Sequence, residues 1–136
     1  MAILRNLTFN ELSQLIDRYP MTTSKVTDVI KNDVNSIRYS DVVANTTIIL
    51  SETEGKYDLL MARHQTEEKQ KNEIVHKLVH LFYEVTIMGK TNENLFSEKA
   101  YELEKLIEKE AARFYRDNFS FIDKFYSSLP LLPESK

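Results

Sequence analysis

From Thr22 to Met88 the chain contains no proline and a single glycine, Gly55. Tight turns draw on those two residues, and the full 136 residues hold only two glycines and three prolines. A sheet protein needs more punctuation than that, so the sparse turns favour helix throughout. Hydrophobic residues make up 42% and charged residues 29%, a balance of globular or coiled-coil chains rather than disordered ones. One domain's worth of chain is present.

The helical starts and stops are legible. Thr8-Phe9-Asn10-Glu11 has the form of a capping box, with Leu7 and Leu12 placed as a hydrophobic staple. Phe9, Leu12, Leu15 and Ile16 share one face of a short helix that Pro20 ends. Ser24 is the expected cap of the next helix. Beyond it Val26, Ile30, Val34, Ile37, Ala44 and Ile48 recur at helical spacings. Thr46-Thr47-Ile48-Ile49-Leu50 is β-branched enough to suggest a strand. With no bracketing turn and no partner strand in view, it reads as more of the same helix, and residues 51–56 around Gly55 are the place for a break. Ile74, Leu78, Leu81, Val85 and Met88 step by four, three, four and three, a coiled-coil seam. Val75, Val79 and Phe82 widen it, so this helix needs burial on more than one face. Gly89 is suited to a helix stop. Ser97 and Ser120 are expected to cap two further helices, one carrying Ala100, Leu103, Ile107, Ala111 and Phe114, the other Ile122, Phe125 and Leu129.

The expected fold is therefore all-α, in one domain. A short N-terminal helix occupies residues 1–21, a long coiled-coil, stalk-like segment residues 22–89, and a C-terminal helical hairpin with its tail residues 90–136.

Charge and chemistry narrow the function. Eighteen basic against twenty-one acidic side chains give a net charge of −3, with no dense basic stripe to neutralise phosphates. Cysteine is absent, which excludes disulfides and thiolate metal sites. No apolar run approaches the length of a membrane span, and Met1-Ala2-Ile3-Leu4-Arg5 has neither a signal-peptide layout nor a myristoylation glycine. An intracellular, soluble protein is expected. Glu73, His76, His80 and Glu84 form a tempting ligand set, since His76 and His80 are four apart on one helical face. The H-E-x-x-H pattern is broken by Lys77-Leu78-Val79, and no further ligand region stands out, so a plain helix face with no metal and no cofactor is expected. His64, beside Arg63, Glu67 and Glu68, reads as solvated. The Glu/Lys run from Glu102 to Glu110 reads as a solvated face supported by i,i+4 pairs. No nucleophile–base pair or phosphate loop is present, and no enzymatic activity is expected.

Taken in order, Leu7-Thr8-x-x-Glu11-Leu12-x-x-Leu15-Ile16-Asp17, Ala44-Asn45 in mid-course, Ala111-Ala112-Arg113-Phe114 and Phe121-Ile122-Asp123-Lys124-Phe125-Tyr126 resemble the Mod(r) domain. That domain defines one subunit of the ESCRT-I endosomal sorting complex. The resemblance implies a non-enzymatic scaffold in a heterotetramer that sorts ubiquitinated membrane cargo into multivesicular bodies. Its implied partners are the ubiquitin-binding subunit, the headpiece core subunit and a small stalk subunit. Its place would be cytoplasmic, and at the endosomal membrane only through the complex. Partner contacts are expected from Ile74, Leu78, Leu81, Phe82 and Val85 in the stalk, and from Leu103, Ile107, Phe114, Phe121, Ile122, Phe125 and Tyr126 in the hairpin. Two other readings compete: a self-contained helical-bundle regulator or phage accessory protein acting as a homodimer, and a small helical enzyme or metal protein built on the His76/His80 face.

Overall fold

The computed structural model describes residues 9–50, 55–83 and 101–128. The elements run α1 (Phe9–Arg18), α2 (Thr23–Asp33), β1 (Val34–Ser40), β2 (Thr47–Leu50), β3 (Tyr57–Ala62), α3 (Glu67–Leu81), α4 (Tyr101–Asp117) and α5 (Phe119–Ser128). Among the described residues the architecture is mixed: five helices with one three-stranded sheet of order β1-β3-β2. The all-α expectation is thus corrected, and so is the continuous helix across residues 22–89.

What replaces the long helix is α2 followed by the whole sheet. β3 is the central strand, parallel to β1 and antiparallel to β2. It is buried on both faces: Leu59 and Met61 are wholly buried and Ala62 and Asp58 nearly so. A continuous apolar run is what a doubly covered strand requires. Gly55 stands between β2 and β3 with φ 76°, a left-handed backbone that costs glycine nothing. Gly55 thus supplies turn chemistry just ahead of β3. The partner strand for Thr47–Leu50 lies just beyond it, pairing Thr47 with Leu60 and Ile49 with Asp58.

The apparent helical period of Val34 and Ile37 has a specific cause. Strand residues three apart point to opposite faces, yet both side chains are buried. A register shift between Val34 and Ser36 in the pairing with β3 resets the alternation. An irregular strand thereby imitates a helix seam.

The helices keep much of their expected character. α1 stops two residues before Pro20. Its Thr8 cap and Leu7 staple lie outside the described residues. α2 is capped by Thr22, whose hydroxyl accepts from Lys25 N at 3.2 Å, not by Ser24. α3 is capped by Thr66, with Glu67 and Glu68 in its first turn, where acids suit the helix dipole. α5 begins at Phe119, one residue before the expected Ser120 cap. The expected features at Val85, Met88, Gly89 and Ser97 lie outside the described residues.

α3 is the organising element, packed against α2, α4, α5 and β3. Ile74, Val75, Leu78, Val79 and Leu81 are all buried, which meets the expected need for burial on several faces from within this chain. Among the described residues no helix is long and apolar enough to cross a membrane.

Candidate metal centre

α3 and α4 lie side by side, and the contact that joins them is polar. His76 and His80 stand one turn apart on α3 with their rings stacked at 4.8 Å. Glu104, from the first turns of α4, reaches both. Its Oε2 lies 3.0 Å from His76 Nε2, and its Oε1 lies 2.6 Å from His80 Nε2. One donor atom from each of the three side chains falls within 4.8 Å of the others.

These approaches have the length of hydrogen bonds but not the direction. Neither His76 Nε2 nor Glu104 Oε1 is aligned with a hydrogen-bonding partner, although both are buried. Buried polar atoms are rarely left so. Two ligands about 2.1 Å from a tetrahedral zinc stand about 3.4 Å apart, so the carboxylate would withdraw by less than about 1 Å and the donors, now spread over up to 4.8 Å, would draw together to admit the ion.

The protonation states suit a cation. Burial pushes the His80 imidazole down to about 4, against the opposing pull of Glu104, so its ring is neutral at pH 7 and has a lone pair to give. Burial works against ionisation of Glu104, but the facing His76 and His80 outweigh it and hold the carboxyl well below the usual range. The cluster therefore offers one anion and a neutral imidazole at neutral pH.

Access comes from His76, which is 17% exposed where His80 is fully buried. His76 lines a polar cavity of about 520 Å³ between α3 and α4, bordered by Thr66, Lys69, Asn72, Glu73 and Glu108. Three protein ligands with an open side is the form of a catalytic-type zinc site, whereas structural sites are closed by four.

Of the ligand set suggested by the sequence, His76 and His80 come together. Glu73 does not join them: its Oε1 accepts from Thr46 N at 2.7 Å and its Oε2 from Gln65 Nε2 at 3.2 Å, which ties α3 to the start of β2. Glu84 lies outside the described residues. His64 is exposed, beside Asp41, as expected. Glu104 was hidden in the run taken for a solvated face. Its signal was position: Glu104, Ile107, Ala111 and Phe114 step by three, four and three along the seam of α4, whose last three members are buried.

The expected partner-contact residues are placed inside this chain. Ile74, Leu78, Leu81, Phe82, Ile107, Phe114 and Ile122 belong to its own core, with Phe121, Phe125 and Tyr126 packed half-buried against it. Val85 and the side chain of Leu103 lie outside the described part. No protein-family model matches the chain, and neither the curated proteins nor the solved structures give a match.

Proposed function

We propose that this chain binds one divalent transition-metal ion, with zinc the best fit, through His76, His80 and Glu104. The observation that carries the reading is the convergence of three donor side chains from two helices, His80 fully buried and His76 and Glu104 half-buried, with two of their donor atoms unaligned for hydrogen bonding. Two imidazoles and a glutamate form a ligand set that zinc readily accepts.

The role we read for the site is to hold a ligand on the metal. In helical H-E-x-x-H hydrolases the residue after the first histidine is a glutamate that takes a proton from metal-bound water. Here that position is Lys77, a cation with no such role beside a zinc ion. The polar cavity that His76 lines would give a ligand access to the bound ion, so the role proposed is metal-dependent binding.

Zinc titration of the full chain with a competing chromogenic chelator tests this. The expected result is saturation at one zinc per chain. His76→Gln, His80→Gln and Glu104→Gln should each weaken binding by more than the about 10–100-fold cost of losing an outer-shell partner. Zinc uptake indifferent to these variants overturns the site, and peptide hydrolysis by the zinc-loaded protein overturns the binding role. The scaffold role implied by the Mod(r) resemblance rests on a stalk helix. With β1, β2 and β3 in its place, no described element supports that assembly.

A further inference from the structure

A second cavity, of about 630 Å³, lies across the molecule between α2, β1 and α5. Its volume is in the about 300–1,000 Å³ range of small-molecule sites. Ile30, Val34 and Ile37 form one wall, and Phe121 and Phe125 the other. The two phenylalanine rings are stacked, 5° from parallel, with centroids 6.3 Å apart, which gives a flat apolar surface.

The charge around this cavity is one-sided. Among the described residues of its lining, Lys31 and Lys124 are the charged side chains and no carboxylate accompanies them, although the chain as a whole carries −3. Both lysines are exposed. Among the described residues, neither makes an ion pair. Asn35 and Ser36 add polar groups at one end, where their side chains donate to Asp58 at 2.9 and 2.8 Å. An apolar interior with two cations at its margin is complementary to a molecule with an apolar chain and one anionic head.

We propose that this cavity binds a fatty carboxylate, with the alkyl chain along Phe121, Phe125, Ile30 and Ile37 and the carboxylate at Lys31 and Lys124. An elongated amphiphile suits the site better than a compact anion, because the apolar walls exceed what a small anion would cover. This proposal is independent of the metal centre.

The test is calorimetric titration of the full chain with dodecanoate and with dodecanol, each below its aggregation threshold, alongside mass measurement in solution. Dodecanoate should saturate at one per chain and dodecanol should bind at least tenfold more weakly. Lys31→Glu with Lys124→Glu, both at exposed positions, should reduce dodecanoate affinity at least tenfold and leave dodecanol affinity within twofold. Val34→Trp, which fills the cavity, should remove both. The proposal is overturned by an absence of saturable dodecanoate binding, by equal affinity for acid and alcohol, or by indifference to the charge reversal. A stable dimer that dodecanoate does not dissociate would give the cavity to a second copy of the chain and overturn it as well.

Discussion

Glu110 Oε2 accepts the backbone amide of Met21 at 2.6 Å, 89 residues away in sequence, and pins the turn between α1 and α2 to α4. Arg113 completes the joint, pairing with Glu110 and donating to Met21 O at 2.9 Å. Glu110 is 6% exposed. Removing the buried acceptor leaves the Met21 amide without its partner and Arg113 with only Asp117 and Met21 O. Glu110→Ala should therefore cost about 3 kcal/mol, while Glu108→Ala, at an exposed position of the same helix, should stay within about 0.5 kcal/mol. Urea unfolding of the two variants checks the contrast.

The central strand gives a second expectation. Leu59 is wholly buried, whereas Ile49 on the edge strand is 41% exposed. Leu59→Ala should lose about 2–5 kcal/mol through lost transfer energy and the cavity left behind, and Ile49→Ala less than about 1 kcal/mol. Equal effects would contradict the strand order.

The metal-free protein should weaken in mild acid. His80 titrates near 4 when folded, below its ordinary 6.5, so between those values the unfolded chain binds more protons than the folded one. Stability is then full above about pH 6.5 and falls with acidification, at up to about 1.4 kcal/mol per pH unit. Glu104, held low in the fold, acts in the same direction, as its contribution is lost when pH falls toward its folded value. Thermal melts from pH 7 to 4 should show this slope, and His80→Gln should flatten it. An unchanged slope in that variant would place the acid sensitivity elsewhere.

The stop of α1 and the buried faces of the helices were legible in the sequence because they obey local rules, whereas the end of α2 and the start of α3 were not. Pro20 stops α1, and the Ile74–Leu81 periodicity is buried as its pattern requires. The sheet was not legible, because its signals are non-local or masked. Among the described residues Gly55 is the lone left-handed glycine ahead of β3, a register shift at Val34 mimics helical spacing, and β1 finds its parallel partner only after β2 has intervened. The candidate site was half visible. His76 and His80 share one helix, so spacing reveals them. Glu104 comes from another, and only the packing of α4 on α3 brings it within reach.

The most direct measurement is X-ray absorption at the zinc edge on the zinc-loaded full chain. The account predicts a first shell of nitrogen and oxygen only, at about 2.0–2.2 Å, with the outer scattering of two imidazoles, reduced to one imidazole in His80→Gln. A spectrum of hydrated zinc without imidazole scattering, or one unchanged by His80→Gln, would contradict it.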